Sequence, residues 1–175
     1  MLTMKNLLMI LALIGSLGMV QGQIADHDPM TENSLDDRSE GGEAYLRRVQ
    51  SPITPNSVRQ YQIMAVDYDV AKLDLFDGRN ELFLVAFKTQ KGTILTSYDR
   101  KGEVVESVEK FRDLALPLEI MRTGLKSHAG WAVIRTNYYV SYVKDQRTEI
   151  IYTIQITDGI KKKKILLDGD GTLLD

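Results

Sequence analysis

From Leu82 onward, short apolar runs rich in β-branched and aromatic residues are broken by polar, glycine-containing stretches, the pattern of β-strands joined by turns. Leu82 to Lys88, Thr93 to Tyr98 and Val104 to Val108 read as three strands, separated by turns at Lys91-Gly92 and Asp99-Arg100-Lys101-Gly102. Ala132 to Val143, Glu149 to Thr157, Lys162 to Leu167 and the short Thr172 to Leu174 continue the pattern. Loops this short make neighbouring strands antiparallel. Two stretches switch to three- and four-residue spacing and read as helices. Val58, Tyr61, Met64, Ala65 and Tyr68 follow Pro55, and Leu118, Met121 and Leu125 follow Pro117.

The chain also echoes itself. LFLVAFKTQKGTILTSYDRKGEVVES aligns without a gap on the stretch that ends the chain, IIYTIQITDGIKKKKILLDGDGTLLD, with Phe83 on Tyr152, Val85 on Ile154, Asp99 on Asp168 and Gly102 on Gly171. Each copy of the meander is preceded by a helix that a proline opens. The expected fold class is therefore α+β: tandem helix-plus-antiparallel-meander units, about 55–110 and 111–175, forming one antiparallel sheet with the helices packed on one face. The other face is expected to be open to water.

The first 54 residues lack this pattern. Residues 1–22, MLTMKNLLMILALIGSLGMVQG, have a basic Lys5, an apolar run and a small-residue site at Val20-Gln21-Gly22, as in a cleaved signal peptide. The apolar run is shorter than the ~20 residues that span a bilayer, so no stable membrane anchor is expected after cleavage. Residues 23–54 are rich in Asp, Glu, Ser, Asn and Gly and read as a disordered acidic leader, within which EAYLRRVQ suits a turn of helix or a docking strand. Export, to the periplasm or beyond the cell, is the expected localisation.

Composition narrows the chemistry. Among 175 residues there is no cysteine, which removes disulfides, thiolate metal sites and cysteine nucleophiles. The two histidines, His27 and His128, are far apart in sequence, so no metal site and no cofactor is expected. A net charge of −2 gives no global attraction for nucleic acid, and none is expected as a partner.

Four motifs invite a function. ILLDGDGTLLD resembles the nucleophile strand of Mg²⁺-dependent phosphatases, with Asp168 as nucleophile and Asp170 as acid. Only Leu173, Leu174 and Asp175 follow its Thr172, and the echo at YDRKGEVV lacks the second aspartate, so a turn is the expected role. A phosphatase, a nucleotidyl transferase or a weak calcium-responsive protein resting on Asp168 and Asp170 is the alternative function. The run Lys161 to Lys164 suits a polyanion site or an edge strand protected against aggregation. His128 follows the second helix beside Gly130 and Trp131 and lacks a nucleophile and an orienting partner, so a structural role is expected. In Ala132 to Val143, strict alternation puts Tyr138, Val140 and Tyr142 on one face and Tyr139, Ser141 and Val143 on the other. The expected partner-binding face is the open one, carried by Tyr138, Tyr142 and Tyr152. No catalytic residue is assigned.

Tyr98 to Gly102 with Val104-Val105, Leu116-Pro117, Gly130-Trp131, Tyr152 to Asp158 and Asp168 to Leu174 together resemble the PepSY-like family, whose fold is similar to the β-lactamase-inhibitor proteins. The likeness covers about residues 55–175. It implies an exported bacterial α+β domain, a helical segment on an antiparallel sheet in tandem; the expected function, a non-catalytic protein-binding or inhibitory module for an envelope or extracellular protein, rests instead on the aromatic, strand-rich surface without a catalytic constellation. It supplies no catalytic residues. The His-x-Gly-His pair of nucleotide adenylyltransferases is absent from the sequence.

Overall fold

In the computed structural model, which describes residues 39–73, 76 and 82–174, every strand is hydrogen-bonded to the one before it. One seven-stranded antiparallel sheet results, in the order β1 (Phe83–Lys88), β2 (Gly92–Tyr98), β3 (Val104–Arg112), β4 (Ala132–Val143), β5 (Glu149–Thr157), β6 (Lys162–Asp168) and β7 (Leu173–Leu174). Among the described residues three α-helices accompany it: α1 (Glu40–Val49), α2 (Asn56–Asp67) and α3 (Leu118–Leu125). α2 precedes β1–β3 and α3 precedes β4–β7, so the tandem α+β arrangement is the observed one.

Register decides which side chains meet. Phe83 faces Tyr98; Val85 faces Thr96, which faces Ser107, which faces Tyr142; Phe111 faces Tyr138, which faces Tyr152, which faces Leu167. These residues share the face on which the helices lie, and the core is built there from Tyr45, Val49, Val58, Ala65, Ile94, Ile120, Ile154 and their neighbours. Gly92 stands opposite Phe111, where a Cβ would run into the Lys110 carbonyl and the Phe111 ring, so only glycine lets β2 and β3 close up there.

Two sequence expectations need correction. Residues 40–49 are not part of a disordered leader. Ser39 caps α1 by accepting the Gly42 amide (3.1 Å), Glu40 and Glu43 stand at its positive end, and Arg47 and Arg48 at its negative end. Tyr45, Leu46 and Val49 form its apolar stripe and are buried, each burial stabilising by about 1.5–3 kcal/mol. The connection from α1 to α2 is ordered too, with the Arg59 guanidinium donating to the Ser51 and Thr54 carbonyls. Residues 1–22 and 23–38 lie outside the described residues. β3 runs four residues past its expected end at Val108, to Arg112, and that extension completes both faces of the site described next.

Candidate functional site

Tyr138, Tyr142 and Tyr152 are not on an open face. They are 1%, 4% and 0% exposed, underneath the helices. Tyr45 of α1 meets Tyr142 edge-on at 5.0 Å, Tyr138 and Tyr152 lie 4.9 Å apart, and the Tyr152 hydroxyl donates to the Ile53 carbonyl (3.1 Å). Alternation correctly groups Tyr138 with Tyr142, but the helices cover their face and leave the face of Tyr139 uncovered. The three tyrosines are core residues, unavailable to a partner in this fold.

The same covered face holds a carboxylate. Glu109 on β3 is 0% exposed. Its Oε1 accepts from the Tyr45 hydroxyl (2.7 Å) and, at 3.4 Å, from Ser107; its Oε2 accepts from the Gln62 amide (2.8 Å). α1, α2 and the sheet therefore converge on one side chain. Burial raises its pKa to about 7, partly offset by the Tyr45, Gln62 and Ser107 hydrogen bonds. Burial and then the neighbouring Glu109 charge also push the Tyr45 hydroxyl well above its usual value. With no surface exposed, the carboxylate has no route to a substrate, and it acts as a fastening.

Asp168 and Asp99 occupy matching turns. Asp168 Oδ1 accepts the backbone amides of Asp170 (3.0 Å) and Thr172 (2.9 Å); Asp99 Oδ1 accepts those of Lys101 (2.8 Å) and Glu103 (3.0 Å). Gly171 (φ 82°) and Gly102 (φ 78°) supply the left-handed residue that each turn requires. The aspartate of the phosphatase-like motif is thus engaged by its own loop, as its echo is. Among the described residues, no group of three or more His, Cys, Asp or Glu is placed to hold a metal.

Lys162, Lys163 and Lys164 lie on the part of β6 that β7 does not cover, since β7 pairs only with Leu166 and Leu167. Charged side chains on such an edge oppose strand addition. Lys163 Nζ stands 2.9 Å from His128 Nε2, and the imidazole meets Trp131 edge-on at 5.7 Å.

The uncovered face of the sheet has a polarity that no single strand reveals. At one end Lys110 and Arg112 of β3, Arg135 of β4, and Lys162 and Lys164 of β6 project from it, all exposed. Asn137, Thr153 and Gln155 lie between them, with Arg112 across from Asn137 and Gln155 between Arg135 and Lys164. A shallow concavity of about 570 Å³ opens there, reaching from the β1–β2 turn at Lys91 to Lys164, with Tyr139 in its wall. No carboxylate lines it. Lys91 Nζ donates to the Asp113 carbonyl (2.7 Å), while Lys110, Arg112, Arg135 and Lys164 make no ion pair among the described residues. The other end carries Leu84, Leu95, Val108 and Val143 with Glu106 and Glu149. Sequence reasoning saw the lysine run but not this cluster, because its members come from three strands and only the register unites them. The usable signal was Lys110 and Arg112 two positions apart in β3, on either side of the apolar Phe111.

Compared with known proteins, the chain matches no family model, no curated protein and no solved structure.

Proposed function

We propose that this chain is an exported, non-catalytic binding or inhibitory module of PepSY-like architecture, working in the periplasm or outside the cell, and that its recognition surface is the uncovered sheet face. The observation that carries this reading is the concavity of about 570 Å³ on that face, walled by Lys110, Arg112 and Lys164 without a carboxylate in its lining. A sheet held rigid by six ladders of hydrogen bonds presents those groups at fixed spacing, which lowers the cost of ordering them on binding. The apolar positions at the other end, Leu84 and Leu95 among them, add contact area to the same surface. The signal-like residues 1–22 support export.

The test is retention of envelope components on the immobilised mature chain. A double change, Arg112→Glu with Lys164→Glu, is expected to abolish retention of whatever the wild type holds. A control pair on other surfaces, Arg122→Glu with Arg100→Glu, is expected to leave it intact. Identical retained material for all three proteins would sink the assignment of this face.

A further inference from the structure

The cationic end of the uncovered face, taken as the recognition surface proposed above, has a chemistry that selects among anions. We infer that it binds an extended acidic polysaccharide, a sugar chain bearing carboxylate or sulfate groups, laid across β3 to β6. Three observations favour this ligand. First, the charged residues stand apart rather than bunched. Lys110 and Arg112 are two positions apart on one strand, roughly 7 Å, and Arg135 and Lys164 are two strands apart, roughly 10 Å. That spacing suits charges distributed along a polymer better than a single compact anion.

Second, the floor between these cations is made of side-chain amides and hydroxyls, from Asn137, Thr153 and Gln155. They donate and accept hydrogen bonds in the plane of the face, as a hydroxyl-rich ligand requires. Third, the other extended polyanions fit less well. Single-stranded nucleic acid is held by successive aromatic platforms, and of the three aromatics in the lining Phe111 and Tyr138 are buried, which leaves Tyr139. An acidic peptide gains most of its affinity by adding a strand to a free edge; β3, β4 and β5 are paired on both sides along the concavity, and the free stretch of β6 beside it carries Lys162, Lys163 and Lys164, which oppose strand addition. The net charge of −2 leaves this patch as a local feature, so binding depends on the named residues rather than on a global field.

The experiment titrates the full mature chain with polygalacturonate and with dextran sulfate, beside neutral dextran, poly-glutamate and a single-stranded DNA of matched charge. Binding to at least one acidic polysaccharide is expected, with none to neutral dextran and weaker binding to poly-glutamate and DNA. Arg112→Glu with Lys164→Glu should weaken it by about tenfold or more, and raising salt should weaken it further. The milder pair Lys110→Gln with Lys164→Gln serves if the reversed charges disturb folding, and Arg122→Glu is expected to change nothing. Equal binding to every polyanion, tighter binding to the peptide or DNA, or a double variant that binds as the wild type does would each overturn the inference. Should no polysaccharide bind while Arg112→Glu with Lys164→Glu still abolishes retention from envelope extract, the ligand class falls and the recognition surface stands. If neither responds, both fall.

Discussion

Beneath α1 and α2 the sheet presents a buried carboxylate, and beneath α3 it presents aliphatic side chains. At the first place Glu109 receives hydrogen bonds from Tyr45 and Gln62, one from each helix. At the second, Ile120 of α3 is fully buried, and Gly124 comes so close to the Ile154 side chain that a Cβ would collide with it. A directional bond fixes where a helix sits, since a misplaced α1 or α2 strands a polar group away from water. An apolar contact supplies free energy in proportion to area and tolerates small slips. The first fastening thus trades stability for position, and it alone is sensitive to protons.

The comparison can be broken most severely at Ile154. It is 0% exposed and sits between Thr136 and Ile165 in register, so Ile154→Ala should cost about 3 kcal/mol or more from lost burial and the cavity left behind. Urea denaturation reads this directly, and a loss under about 1 kcal/mol would show that α3 collapses onto the gap.

The next effect separates the two fastenings by pH. The folded-state pKa of Glu109 is raised from 4.5 to about 7, so the folded protein holds its proton where the unfolded chain has released it. Below the unfolded value both states are protonated and there is no penalty. As pH rises from about 4.5 to about 7 the unfolded state binds fewer protons, and stability falls by on the order of 2–3 kcal/mol. Glu109→Gln should remove that slope while Ile154→Ala keeps it, as measured by thermal melts across this range. A slope unchanged in Glu109→Gln would place the titration elsewhere.

The smallest effect concerns the matching turns. Asp99→Ala and Asp168→Ala each remove one side-chain oxygen that accepts two backbone amides in an exposed loop, and each should cost about 1 kcal/mol. Near-equal losses would sharpen the likeness of the two halves; a loss confined to one would show that the turns only look alike.

Much of this architecture was legible because it is local. Glycine-containing turns between apolar runs place the strands, and prolines place the starts of α2 and α3, to within a few residues. α1 reads in the sequence only as a turn of helix or a docking strand within the leader, because Gly41 and Gly42 and the acidic sequence before it mask its stripe, although Ser39, Glu40 and Glu43 at one end and Arg47 and Arg48 at the other follow the helix dipole. Alternation groups Tyr138 with Tyr142 but cannot say which face the helices cover, since the opposite set, Tyr139 and Val143, is nearly as apolar. Glu109 looks like a solvent residue in sequence, and its partners lie 64 and 47 positions away. The cationic cluster was hidden for the same reason, being a product of register.

The strand order has a consequence in chain statistics. Because each strand pairs with its sequence neighbour, most ladders close short loops in the unfolded chain, at little entropic cost. The bond from Tyr45 to Glu109 closes a span of 64 residues, about 1–2 kcal/mol dearer in loop entropy than a hairpin of ten. Once β1, β2 and β3 have formed, the part of that span from Phe83 to Glu109 is already drawn together, and α2 shortens the remainder. The bonds that tie α1 and the α1–α2 connection to the sheet, Tyr45 to Glu109 and Tyr152 to Ile53 across 99 positions, are therefore the contacts that depend most on the rest being in place.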